Sequence, residues 1–471
     1  MKRCIFCLIL FVLISFSLAQ TTYIPDDNFE QALIDLDYDD VLDDYVLTAN
    51  ISGLTSLSVG EKDIVDLTGI EAFTSLTSLD CRFNDLTSLD VSSITGLTYL
   101  DFAANQLTSI DLSNNTSLEY LYAENNQLTS MDLGSNTALT NLKCQYNQLT
   151  SLDVSSNTPL YQLVCDNNQL TSLDVTNNAS LELLVCSHNQ LTSLDVTNNV
   201  NLTRLNTYGN ALDTLDVSNN VDLTYLSCVG LQSSNLDVSN NIALGTLICH
   251  TSQLTSLDVS NNTDLTYLNC RANQLDSLDV SNNTALTDLR CQQNGLTYLN
   301  MRNGVTDALT YFQAEDNSLT CIETLDPDYA TANWTYANGN IDEGVAFAVD
   351  CTPDPPTLVI NEILAKNVAC CTDANGDYDG YIELFNYGDE EVDIGGMVIT
   401  DDLNNYDHYY QIPTNNDSTI ILSGGFLLLW ADEESEQGVL HVEFKLNTRA
   451  GGEIGLFMPD STTVVDNITY G

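Results

Sequence analysis

Two columns of reactive side chains can be read off the sequence before any element is assigned. Cys81, Cys144, Cys165, Cys186, Cys228, Cys249, Cys270 and Cys291 are spaced by multiples of 21 residues. Asp90, Asp111, Asp132, Asp153, Asp174, Asp195, Asp216, Asp237, Asp258 and Asp279 follow the same period, nine residues further on. Thiols in a column could pair, bind a soft metal or relay electrons, and carboxylates in a column could hold hard cations. A third set varies from unit to unit: Tyr99, Tyr120, Tyr122, Tyr146, Tyr208, Tyr225, Tyr267 and Tyr311, interspersed with Arg82, Arg204, Arg271, Arg290 and His250. Tyr and Arg are over-represented at binding hot spots because they offer large, rigid or forked contact surfaces. Catalytic motifs are missing: there is no Gly-rich phosphate loop, nucleophile elbow or His-Glu zinc helix, and the four histidines, His188, His250, His408 and His441, are scattered. Most of the Asp follow the repeat register and are structural by default, so the chain does not read as an enzyme.

The repeat that positions these columns is strict. A leucine opens each unit every 21 residues from Leu76 to Leu286, with looser units at Leu54 and at Leu309, the latter after an insertion around Arg302, Asn303 and Gly304. The total is about thirteen coils. The first half of each unit, L-x-x-L-x-C-x-x-N-x-L, resembles the leucine-rich-repeat signature, over roughly residues 46–351. Leucines three apart, with another apolar residue two further on, place one short strand per coil with its apolar side chains inward. The Asn that follows, as at Asn84, Asn105, Asn126, Asn147, Asn168 and Asn189, can bond backbone groups where the chain turns. The second half, L-T-S-L-D-V-S-N-N, repeats the apolar spacing and leaves no room for a full helix, so a mainly β leucine-rich-repeat solenoid of roughly 60 Å is expected.

Side chains stacked in parallel at the coil spacing do not meet disulfide geometry, so the column thiols are expected to be buried small hydrophobes. A metal or redox wire is the other reading, and no histidine sits in phase to assist it. The ten aspartates are expected to face outward, each neighbouring pair repelling by about 1 kcal/mol in water-like dielectric. Hydration with bulk cations, bonds from adjacent Ser and Thr hydroxyls, or bound divalent ions must moderate that.

Domain boundaries follow from composition. Lys2 and Arg3, an apolar run from Cys4 to Phe16 and small residues at 17–19 read as a signal peptide over 1–19. Residues 20–53 form an N-terminal cap with an amphipathic helix at 25–36, and 54–322 form the solenoid. Residues 323–351 form a C-terminal cap that Cys321 and Cys351 frame and are expected to bridge, with Trp334 and Phe347 available to cover the last coil. Residues 352–357 read as a stiff Pro-rich linker. The net charge of −54 argues against nucleic acid and anionic membranes as partners, and no apolar stretch after the leader is long enough to insert into a bilayer.

From Leu358 the pattern becomes short alternating strands with Gly, Asn and Asp turns, expected to form a β-sandwich. Asn361 and Glu362, Ile382 to Leu384 with Asn386, Gly395 and Gly396, Phe444 to Leu446, and Val465 with Asp466 resemble the lamin-tail domain, an immunoglobulin-like module. Two departures are Met397, where that family often has an aromatic residue, and the end at Gly471, where it usually continues, so the module is expected to be truncated. Asp373, Asn375, Asp377 and Asp379 resemble an acidic calcium loop, although neither counting frame satisfies the EF-hand pattern; an ordinary polar loop is the alternative. No other cofactor is expected. Cys370 and Cys371 read as either a vicinal bridge or two thiols.

The ensemble of cap, units rich in NQLTSLDVSNN, Cys-framed cap and appended sandwich is similar to the leucine-rich-repeat surface proteins of marine Bacteroidetes. That resemblance implies a secreted or cell-surface recognition or adhesion protein, binding an extracellular protein or glycan through the varied strand face. Two other roles fit the same sequence: a structural spacer, and a targeting adaptor for a secreted hydrolase.

Overall fold

The computed structural model describes residues 20–351, 357–369, 371–373, 375–403, 409–414, 416–447 and 452–470. The leader at 1–19, most of the linker and the Cys370 half of the vicinal pair lie outside the described residues. Contacts divide the chain between Cys351 and Thr352.

In the first unit each coil contributes one strand to a 13-stranded parallel sheet, from Ser56–Ser58 to Tyr311–Gln313. The register follows the repeat, so Leu100 pairs with Leu121 and Leu184 with Leu205. Most of these strands are three residues long because L-x-x-L supplies one inward leucine between two outward positions; Leu100, Leu121, Leu184 and Leu205 are fully buried. They join one hydrophobic core that runs from Ile24 to Ile341. All eight column thiols stand in this core, and three coils replace the thiol with Phe102, Ala123 or Thr207, equally buried. A position that accepts Phe, Ala or Thr is filled for volume, which is the small-hydrophobe reading. Burial pushes Cys186, Cys228 and Cys270 up to about 12 and drives the other column thiols upward as well. Iodoacetamide at pH 8.5 is therefore expected to leave all eight unlabelled in the folded chain and to label all eight after denaturation, as peptide mass mapping would show.

Two asparagine ladders close the turns. Asn105 Oδ1 accepts the Leu86 amide of the preceding coil, and its Nδ2 donates to the Cys81 and Phe102 carbonyls. The same arrangement recurs at Asn126, Asn147, Asn168 and Asn189. The second ladder is the last Asn of each S-N-N or T-N-N. Asn178, fully buried, donates to Val154 and Asn157 carbonyls at 3.1 and 2.8 Å, and Asn199 repeats the pattern one coil later.

The second half of the coil has the apolar spacing of the first but is not a strand in every unit. It ladders only towards the C-terminal end, where Ser277–Asp279, Tyr298–Met301, Cys321–Thr324 and Ala346–Ala348 form a four-stranded sheet. In the earlier coils this segment forms no ladder; the bond from each Asp to the amide two residues on is not the cause, because Asp279 makes it within the laddered strand while the Val280 amide bonds the Asn300 carbonyl.

Both ends of the solenoid are covered. Helix Asp27–Asp35 buries Phe29, Ala32 and Leu33 against the first coil. Its N-cap Asp26 accepts the Asn28 and Phe29 amides on one oxygen and those of Val65 and Asp66 on the other, tying cap to coil. Strands Thr21–Tyr23 and Tyr45–Leu47 pair antiparallel beside it. At the far end helix Pro327–Asn333 brings Trp334 against Phe312 and Phe347, and Cys321 is disulfide-bonded to Cys351.

The second unit holds two four-stranded sheets that share one core around Ile382, Leu384, Ile399, Leu429, Ile454 and Leu456. Met397 is buried in this core. Asn386 is fully buried, donating to the Glu390 and Ile421 carbonyls and accepting the Gly388 amide.

Candidate functional site

In every coil of the long sheet three side chains point away from the core: the residues flanking the inward leucine and the one after the thiol position. Tyr99, Tyr120, Arg204, Tyr225, Tyr267 and Tyr311 hold the first of these positions, Tyr122 and Arg290 the second, and Tyr208 and Arg271 the third. Tyr146 does not join them. It occupies the turn in the left-handed conformation, φ 56°, one residue before the ladder Asn, and lies beside the strand face rather than on it.

Neighbouring coils bring most of these residues together. Tyr99 meets Tyr120 and Tyr122 with ring centroids 6.3 and 5.5 Å apart, and the Lys143 ammonium sits 4.5 Å over the Tyr122 ring. The Arg204 guanidinium lies 3.8 Å over Tyr225. Arg290 is clamped by Asp288, with 2.8 Å bonds to both carboxylate oxygens, and lies between Tyr267 and Tyr311. Each such stack holds a cation flat against an aromatic face and fixes both partners. The histidines of the solenoid, absent from the candidate set except for His250, flank Tyr208: His188 meets it edge-on at 4.7 Å and His250 at 6.3 Å. Gly209 makes this possible, because at φ 73° a Cβ there would strike the His188 ring at 2.9 Å. Burial and the Arg271 charge hold the His250 imidazole below its ordinary range.

The aspartate column lies on the other segment of the coil. All ten carboxylates accept the backbone amide two residues on, at 2.8–3.0 Å. Thr176 and Thr197 add hydroxyl bonds of 2.6 Å to Asp174 and Asp195. Hydroxyl and amide together hold Asp90, Asp153, Asp174, Asp195, Asp216, Asp237 and Asp258 below the usual carboxylate range despite their neighbours. Hydrogen bonding thus outweighs repulsion, and most of the donors are backbone amides. A groove of about 510 Å³ runs over this column past Asp237, Asp258 and Asp279. Its carboxylates already serve the turns, and its repeat is the constant part of the sequence, so the varied aromatic face is the better candidate. What repulsion remains is screenable: raising NaCl from about 10 to about 150 mM cuts the screening length from ~30 to ~8 Å. The melting temperature is therefore expected to rise; a temperature that did not move would show that the column is fully relieved by its own bonds.

In the second unit the acidic loop is organised by its own backbone. Asp373 Oδ1 accepts the Asn375 and Asp377 amides at 3.0 and 2.7 Å, while the Asn375 side-chain amide turns to Gln437. Burial, then Asp432, Asp373 and Asp377, raise the Asp379 carboxyl. Among the described residues no three His, Cys, Asp or Glu side chains converge in an arrangement that could hold a metal ion.

Comparison with known proteins agrees with both halves of this architecture. The family model of the Lamin Tail Domain matches residues 352–471. Internalin J of Listeria monocytogenes serotype 4b (strain F2365) is 40% identical over 70 residues, a stretch covering 15% of this chain and only 8% of that relative. The solved functional domain of InlJ from Listeria monocytogenes, which includes a cysteine ladder, superposes with TM-score 0.59 at 26% identity over 96% of this chain and 98% of that one. An internalin, inlF, from Listeria monocytogenes strain 4b F2365 shares the fold at TM-score 0.51 and 21% identity, over 70% of this chain and 97% of that one. In fold, in repeat and in its column of thiols, the chain is a mainly β leucine-rich-repeat solenoid similar to the internalins, carrying a region similar to the lamin tail domain at its C-terminal end.

Proposed function

We propose that this chain is a non-enzymatic recognition protein that works outside the cell and takes a protein or glycan ligand on the outward face of its long parallel sheet. The observation that carries the reading is a division of labour within one repeat. The second half of the coil is nearly constant and its polar groups are spent on turns and ladders, whereas the sheet face changes from coil to coil and collects the tyrosines, in stacks with Lys143, Arg204 and Arg290. Stacked, pre-ordered Tyr and Arg bind with little further loss of side-chain freedom. Likeness to the internalins supports a protein-binding or adhesion role. The charged, apolar and small-residue sequence of 1–19 supports export, and among the described residues no helix is long and apolar enough to cross a membrane. The test is an array of extracellular glycans and proteins probed with the full chain. Saturable binding to a restricted subset is expected; no binding across the array would overturn the reading in favour of a spacer.

A further inference from the structure

The solenoid contains a window free of acid. Five consecutive coils, from Leu183 to Arg271, present three outward positions each, and none of these fifteen is Asp or Glu in a chain that carries 66 of them. Elsewhere the same face bears Asp80, Asp101, Glu124, Asp166, Asp288 and Glu315. The column one residue ahead of the strand adds Glu182 at the edge of the window, followed by Thr203, Thr224, Gly245 and Thr266.

Among the described residues four cations pair with no carboxylate, Lys143, Lys366 and the two arginines of the window, whereas the other arginines are paired. Arg82 pairs with Asp80 and Asp101, Arg290 with Asp288, Arg302 with Glu323 and Lys62 with Asp35. Arg204 and Arg271 pair with no carboxylate among the described residues, although the chain has a net charge of −54. Arg204 is exposed and rests on Tyr225, which covers one face of the guanidinium and leaves its N–H edge unspent. Arg271 lies three coils further on, beyond His250, so the two forks stand roughly 14–15 Å apart along the solenoid at the usual strand spacing. Between them lie Tyr208, Tyr225 and Tyr267.

We infer that this window binds an anionic polysaccharide, a chain of sugar rings bearing carboxylate or sulfate groups. The inference rests on the strand-face reading and names its ligand class. Two forked cations without partners fit carboxylate or sulfate oxygens. Aromatic faces fit the apolar faces of sugar rings, and Tyr225 and Tyr267 stand two coils apart in one column, each with one ring face against an arginine, Arg204 or Arg290. An acidic peptide would satisfy the arginines but has no comparable use for Tyr208, Tyr225 and Tyr267.

The experiment immobilises polygalacturonate, dextran sulfate, neutral dextran and poly-L-glutamate, and measures binding of the full chain in about 0.15 M NaCl, where long-range repulsion is screened. Binding to polygalacturonate or dextran sulfate, and none to neutral dextran, is expected; which of the two binds identifies the anionic group. Arg204→Gln with Arg271→Gln should weaken it at least roughly tenfold, while Arg82→Gln, whose guanidinium is already paired, should leave it unchanged; identical melting curves exclude misfolding. Binding that survives the double Arg variant overturns the inference, as does binding to no sugar polyanion. Binding to poly-L-glutamate alone overturns it in favour of an acidic peptide. Loss of an array ligand on changing the tyrosines but not the arginines would sink this inference and leave the strand-face reading standing.

Discussion

Asn178→Ala is expected to destabilise the solenoid by about 1–3 kcal/mol, because it removes two buried side-chain hydrogen bonds worth ~0.5–1.5 kcal/mol each, while both carbonyls keep a backbone amide donor. Those carbonyls belong to Val154 in the preceding coil and to Asn157, the previous rung. The neighbouring Asn177 is an internal control. It is exposed and reaches the Ser155 carbonyl at only 3.4 Å, so Asn177→Ala should cost less than about 0.5 kcal/mol. Urea unfolding followed by far-ultraviolet circular dichroism separates the two. Because coils in a solenoid contact only their neighbours, weakening one rung should also broaden the transition. Equal effects from the two variants would show that the buried Asn column is not what fastens coil to coil.

Cys321→Ser is expected to cost about 3–4 kcal/mol, concentrated at the C-terminal cap. The bridge to Cys351 closes a loop of sequence separation 30, and cross-linking a loop of that size removes about this much entropy from the unfolded chain. The cap it restrains is the segment that lays Trp334 on Phe312 and Phe347. Trp334 and Trp430 are the two tryptophans of the chain, so replacing Trp430 with Phe makes emission a reporter of the cap alone. In the Cys321→Ser chain the emission should shift to the red at lower denaturant than the loss of sheet signal. Coincident transitions would mean that packing, not the bridge, holds the cap.

The sequence makes the architecture legible because the repeat does three things at one period. It spaces inward leucines, sets a turn Asn, and fixes the parallel register in which Leu100 meets Leu121. The thiol column was equally legible, since identical inward residues at coil spacing have no geometry in which to pair. Less visible was the role of the second Asn in S-N-N. Asn177 and Asn178 look alike in sequence, and only the folded turn shows that the first is exposed and the second buried. The second half of the coil has the apolar spacing of a strand yet ladders only from Ser277 on, and the local bond from each Asp does not decide this, because Asp279 makes it inside the ladder. Tyr146 shares its residue type with the strand tyrosines, but a left-handed turn one residue before the ladder Asn moves it aside. The acid-free window needs the three outward positions of each coil to be lined up, which the sequence permits only once the strand's start and end are known.

Recognition by the sheet face is tested most directly by one comparison. A ligand captured on the array by the full chain is measured again with two variants. One carries Tyr120, Tyr122, Tyr225 and Tyr267 changed to Ser; the other carries Asp174, Asp195, Asp216 and Asp237 changed to Asn on the opposite segment. Loss of binding in the tyrosine variant with retention in the aspartate variant is the expected result. Retention in the tyrosine variant, or loss in the aspartate variant alone, would contradict it and move recognition to the acidic side or to residues 357–470.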